Sequence, residues 1–132
     1  MRRRLEEARV ARLATVDPAG RPHLVPIVFA LVEDLLVTAV DEKPKRTRSL
    51  RRLENVQTNP LVTVLVDHYD EDWSRLWWVR VRGDAEVHEE GPERDRALEA
   101  LAEKYAVYRE QPPLGPAIAI TVQDWLGWSA AG

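Results

Sequence analysis

Six cations stand within ten residues of this chain, at Lys43, Lys45, Arg46, Arg48, Arg51 and Arg52, with no acid among them. Downstream, Leu50, Leu53 and Val56 recur every three residues and predict a helix over about 47–58, with Thr47 suited to the N-cap and Pro60 to the stop. The first N–H groups of a helix are unpaired and its dipole is positive there, so an anion is attracted by the backbone as well as by the cations. Lys43, Lys45, Arg46 and Thr47 thus form a candidate phosphate clamp. A solvated basic turn is the competing reading, because a helix start ordinarily prefers acids; charge alone leaves both open. Neither GxxxxGK[ST] nor GxGxxG occurs, so ATP-type and Rossmann-type binding lack support.

Net charge is −3, which leaves the chain outside this cluster strongly acidic. Such a distribution suits a local anion site and argues against a nucleic-acid face. Trp73, Trp77, Trp78, Trp125 and Trp128 offer flat surfaces that could wall in a conjugated ring, fill a subunit interface or simply pack. On one regular strand the adjacent Trp77 and Trp78 point to opposite faces. His23, His68 and His88 are far apart and form no HxxxH or HExxH pattern, so no metal site is expected. Asp67, Asp70, Glu71 and Asp72 lack EF-hand spacing and read as a solvated acidic turn. No serine sits in a GxSxG elbow, and the absence of cysteine removes thiolate catalysis and disulfides.

The elements that would position these residues are mostly strands. Residues 2–9 suit a short amphipathic helix, and a strand runs from Val10 to about Val16, ending at the turn formers Asp17-Pro18-Ala19-Gly20. Arg21 to Leu31 reads as a second strand, with Pro22 and Pro26 placing it at an edge or a bulge. Leu35 to Val40, Leu61 to Val66, Leu76 to His88 and Ala117 to about Val122 complete six, the fifth interrupted near Gly83. A second helix follows Gly91-Pro92-Glu93, with Leu98, Leu101 and Tyr105 on one face, and Arg109 to Pro116 reads as loop. Mainly β with peripheral helices, this describes a small closed or split barrel of antiparallel neighbours. A length of 132 residues fits one domain, 1–132. The chain shows neither a secretory signal nor an apolar run long enough to span a bilayer, so a cytoplasmic protein without a membrane partner is expected.

Three segments, taken in order, resemble the pyridoxamine 5'-phosphate oxidase-like superfamily. They are Ala11-Arg12-Leu13-Ala14-Thr15-Val16-Asp17 continuing through Gly20-Arg21-Pro22-His23-Leu24-Val25-Pro26-Ile27-Val28-Phe29; Lys43-Pro44-Lys45-Arg46-Thr47 continuing to Leu53; and Val79-Arg80-Val81-Arg82-Gly83-Asp84-Ala85. The run from Val66 through Trp78 and the closing Trp125-Leu126-Gly127-Trp128-Ser129 are more narrowly similar to an actinobacterial-type branch of F420-dependent enzymes. The resemblance implies a six-stranded antiparallel split β-barrel, the FMN-binding split barrel, and a homodimer with two cofactor sites at its interface. It implies a flavin-type ring along Pro26, Ile27 and Val28 and along Thr38 and Ala39. The phosphate would meet Lys43, Lys45, Arg46 and Thr47, with Arg51 supporting the tail and His68, Trp77 or Trp78 coming from the partner. Coenzyme F420 is the favoured occupant and FMN the alternative.

The expected activity is F420-dependent hydride transfer to or from a small organic substrate, needing no dedicated catalytic residue. Non-catalytic storage of a flavin or deazaflavin competes with it, and nucleic-acid binding is the weakest of the three. Reversing the clamp with Lys45→Glu and Arg46→Glu together is expected to weaken cofactor binding and leave the fold intact. Calorimetric titration checks this, and unchanged affinity would count against the clamp.

Overall fold

The computed structural model describes residues 1–41 and 51–132. The proposed clamp residues Lys43, Lys45, Arg46 and Thr47 lie outside them. The described strands are β1 (Ala11–Val16), β2 (Pro22–Ile27), β3 (Ala30–Val32), β4 (Leu35–Ala39), β5 (Leu61–His68), β6 (Trp77–His88) and β7 (Ala117–Ser129). All pair antiparallel in one sheet of order β2-β1-β5-β6-β7-β4-β3. Among the described residues four α-helices accompany them: α1 (Arg2–Glu7), α2 (Arg51–Thr58), α3 (Pro92–Lys104) and α4 (Ala106–Glu110).

Alternation in β1 turns Ala11, Leu13 and Thr15 inward. Asp17 then closes the turn, its Oδ1 accepting from Ala19 N at 2.9 Å and Arg21 N at 2.8 Å, while Gly20 takes a φ of 85°. The expected single strand from Arg21 to Leu31 is two strands at opposite edges of the sheet. β2 pairs only with β1, consistent with two prolines that cannot donate to a second neighbour, and β3 pairs only with β4. Only Val28 and Phe29 separate them, so Ile27 and Ala30 are three Cα steps apart, at most about 11 Å. The sheet must therefore curl until its edges face one another. The six-stranded barrel expected from sequence is corrected to a seven-stranded curled sheet whose edges do not pair.

Buried backbone outside a ladder needs other partners. The Tyr105 hydroxyl accepts from Phe29 N at 3.2 Å and offers its one hydrogen to Arg9 O at 2.9 Å or Phe29 O at 3.1 Å. The Thr38 hydroxyl donates to Val28 O at 2.7 Å. Two side chains thus satisfy the crossing segment, and the Phe29 ring is fully buried.

Inside the curl, Leu13, Phe29, Leu36, Val64, Val81, Ile118 and Ile120 form the main core with Leu5 of α1 and Leu53 and Val56 of α2. Asn55, fully buried, ties α2 to β1 by donating to Thr15 Oγ1 at 2.9 Å. A second core lies under α3 and α4, where Ala97, Leu101, Tyr105 and Tyr108 cover Val37, Ala39, Ala117 and Ala119. With a core on each side, β4 is buried from Leu36 to Ala39. Helix α3 begins as its sequence indicates, with Pro92 in the first turn and Glu93 and Asp95 beside the positive dipole end. Helix α4 runs two residues into the loop expected from Arg109 to Pro116, and β7 runs on to Ser129 because β6 offers partners as far as Trp77. Among the described residues no helix is long and apolar enough to cross a membrane.

Gly83 marks the interruption expected in β6, where the register with β7 shifts between Arg82 and Gly83. A Cβ there would lie 2.3 Å from Thr121 O and 2.8 Å from Ile120 Cγ2. Backbone cannot swing aside as a side chain can, so Gly83→Ala is expected to cost at least about 2 kcal/mol. Urea unfolding followed by tryptophan fluorescence checks this; an unchanged midpoint would show that the strands separate without strain.

Candidate functional site

Where the sheet edges part, a cavity of about 360 Å³ opens. One wall is the end of β2 and the start of the crossing, Pro26, Ile27 and Val28. The facing wall is the end of β4, Thr38 and Ala39, followed by Asp41. Tyr105, Val107 and Tyr108 close it from α3 and α4, Val10 stands at its rim, and Arg52 enters from α2. Its volume lies at the low end of small-molecule sites, and its walls are mostly apolar with a few convergent polar groups.

Five of the residues singled out by sequence, Pro26, Ile27, Val28, Thr38 and Ala39, meet in this cavity. Arg51 does not. It is exposed, and its neighbour Arg52, about 100° further round the helix, is the half-buried one that lines the cavity. His68 and Trp77 also lie elsewhere, stacked on each other with centroids 5.7 Å apart and the Arg4 guanidinium 4.8 Å above Trp77. Trp78 occupies the opposite sheet face, in a groove floored by Ala14, Leu24, Thr63 and Leu65.

Of the polar cavity residues, Asp41, Tyr105 and Tyr108 were not proposed for the site from sequence, and Arg52 was named only as one of the six clustered cations. Tyr105 was legible only as a buried helix position. Tyr108 sits just before Gln111-Pro112-Pro113, whose loop signal hides α4. Tyr108 Oη donates to the Asp41 carboxylate, and burial first, then that hydrogen bond, raises its phenol well above the ordinary 10.0. Burial also raises the Tyr105 phenol, opposed by its contact with Phe29 backbone and by Arg9. Both are therefore neutral hydrogen-bonding groups in the physiological range. Burial lowers the Arg52 guanidinium from its ordinary value, with Asp41 and Tyr108 opposing; an arginine remains charged nonetheless.

Behind the cavity wall, Lys104 Nζ lies 3.9 Å from the Phe29 ring centroid and donates to Leu5 O at 3.4 Å. Burial, then the Arg9 charge, lowers its pKa to about 8, against the pull of Glu6. Elsewhere, Asp72 accepts from Ser74 N at 3.1 Å and Ser74 Oγ at 2.7 Å, so the acidic run caps a turn. Among the described residues no group of three or more His, Asp or Glu is arranged to hold a metal ion.

An antiparallel sheet that curls but does not close, with its cavity at the parted edges, defines a split-barrel architecture. Residues 1–129 match the family model for pyridoxamine 5'-phosphate oxidase, and the chain belongs to that family. No curated protein matches it. Among solved structures it is similar to a conserved hypothetical protein from Mycobacterium tuberculosis, at 21% identity and TM-score 0.75, covering 96% of this chain and 80% of that one. It is also similar to the heme storage protein HutZ from Vibrio cholerae, at 15% identity and TM-score 0.75, covering 97% and 90%. A third is a proposed pyridoxamine 5'-phosphate oxidase from Listeria innocua, at 22% identity and TM-score 0.67, covering 92% and 90%. At these identities the likeness establishes the fold.

The titrating groups around the cavity give a signed pH dependence. Lys104 has a folded pKa of about 8 against an ordinary 10.5. Between those values the unfolded chain holds a proton that the fold does not, so stability rises with pH from about 8 to 10. The tyrosines, raised in the fold, do the reverse, and stability falls above about pH 10 as the unfolded phenols ionise. For half-buried Lys104 the expected gain is about 1 kcal/mol, since solvent screens most of what the full shift would carry. Chemical denaturation across pH 7 to 12 is the check. Lys104→Met should remove the rise and Tyr108→Phe should shrink the fall; identical profiles for all three proteins would contradict the assignment.

Proposed function

We propose that the cavity at the parted edges holds the ring of a flavin-type cofactor, F420 in preference to FMN, and that the protein is an oxidoreductase acting on a small organic molecule. The observation that carries this is the convergence of Pro26, Ile27, Val28, Thr38 and Ala39 on one cavity that Arg52 also enters. The residues fit such a group. Edge strand β2, and Thr38 and Ala39 of β4 beyond the end of the β3 register, have one side free of ladder pairing and offer main-chain N–H and C=O groups to ring heteroatoms. Arg52 carries five donors and has no hydrogen-bond or ion-pair partner among the described residues. The cations from Lys43 to Arg48 follow β4 directly in sequence and would screen an anionic tail.

A bound deazaflavin supplies hydride transfer. The chain's own work is to orient the ring against Ile27 and Val28, keep water from it with Tyr105, Val107 and Tyr108, and neutralise the tail. The family also has haem-storing structural relatives, but the lining favours a flavin-type occupant. Among the described residues it contains no His, Cys or Met, three of the side chains that hold haem iron.

A homodimer belongs to the same proposal. On the outer sheet face Leu24 is 65% exposed, Leu126 46% and Trp128 44%. Cross-strand register runs from Leu126 through Arg80, Leu65 and Arg12 to Pro26 at the cavity. A second copy covering this face would reach the cavity rim.

Titration with F420 and FMN side by side, followed by cofactor fluorescence, is expected to saturate with both and at lower concentration with F420. Reduced F420 should then be oxidised faster with protein when small conjugated or carbonyl acceptors are supplied. Binding without turnover would move the assignment to storage; no binding of either cofactor would overturn it.

A further inference from the structure

Two opposite charges stand at one end of the cavity in unequal circumstances. The Arg52 guanidinium projects from α2 with no hydrogen-bond acceptor among the described residues. The Asp41 carboxylate is fixed: it accepts from Tyr108 Oη, and its own carbonyl accepts from Leu114 N at 3.0 Å. The neighbouring Val40 is clamped in the same way, its N–H donating to Pro116 O and its carbonyl accepting from Gly115 N, both at 2.9 Å. The Asp41 main chain is thus fixed and Tyr108 holds its carboxylate, and Arg52 feels its charge.

We infer that Arg52 and Asp41 form a charge-counting subsite that accepts one negative charge from the occupant and disfavours a second. An anionic oxygen held by Arg52 gains a charge-assisted hydrogen bond. A further charge on the same group would meet the Asp41 carboxylate that Tyr108 holds at the cavity, and near a protein surface like charges repel more than in bulk water. The chemical class selected is a phosphodiester or other monoanion over a phosphomonoester, which carries nearly two charges at neutral pH. This rests on the flavin-type occupancy proposed above and adds to it the means by which a diester-tailed cofactor is preferred.

The test is affinity for riboflavin, the methyl ester of FMN and FMN itself, one ring with no, one and nearly two negative charges. Measuring at about 0.3 M salt screens diffuse attraction by exposed cations. For the unmodified protein the monoanion should bind tightest, exceeding FMN by about tenfold. Asp41→Asn, nearly isosteric, should abolish or reverse that preference. Tyr108→Phe keeps both charges but frees the carboxylate, so the preference should shrink without reversing. Arg52→Met should bring both anions down to the level of riboflavin. Affinity that climbs with charge in the unmodified protein, or an order unaffected by Asp41→Asn in a variant with unchanged thermal melting, would overturn the inference alone. Failure of all three ligands to bind would overturn it together with the flavin assignment.

Discussion

A chain that passes from one edge of a sheet to the other must leave some backbone outside the ladder, and here that backbone is Val28–Phe29. Burying it without partners would cost roughly 1–3 kcal/mol for each unpaired group. Tyr105 and Thr38 offset much of that cost: Tyr105 accepts from the Phe29 N–H and shares its one hydrogen between the Arg9 and Phe29 carbonyls, and Thr38 donates to the Val28 carbonyl. The crossing is therefore stable without strand pairing, and the two edges stay apart. That gap is the cavity, so the same interactions that complete the fold define the site.

The walls then divide the labour. Main chain and apolar side chains of β2, the crossing and β4 provide a surface for something flat, while charge is gathered at the end where Asp41 and Arg52 stand. The family model is that of an oxidase, while a haem storage protein has a similar fold, so architecture alone does not choose the occupant. The proposed anionic organic cofactor draws its support from the described lining, which carries no His, Cys or Met and includes Arg52, a guanidinium without a hydrogen-bond partner among the described residues.

Much of this was legible in the residues because local signals and tertiary outcome agree. The Asp17–Gly20 turn, the edge placement of the proline-bearing strand, the bulge at Gly83 and the proline-started α3 each follow from the conformational limits of single residues. The division of residues 21–31 was not legible, since what breaks that strand is Tyr105, more than seventy positions away. Nor was Tyr108, placed by a five-residue helix that prolines conceal, nor the choice of Arg52 over Arg51, which depends on the rotation of α2. The resemblance drew attention to Thr38 and Ala39, which strand periodicity alone would have left as core.

Amide chemical-shift mapping with saturating F420 tests the central claim most directly. If the ring lies where the sheet edges part, the largest changes fall on Ile27, Val28, Phe29, Thr38 and Ala39, with Tyr105 and Tyr108 following. Changes confined to the outer face around Leu24, Leu65 and Trp128, with Val28 and Thr38 silent, would contradict it.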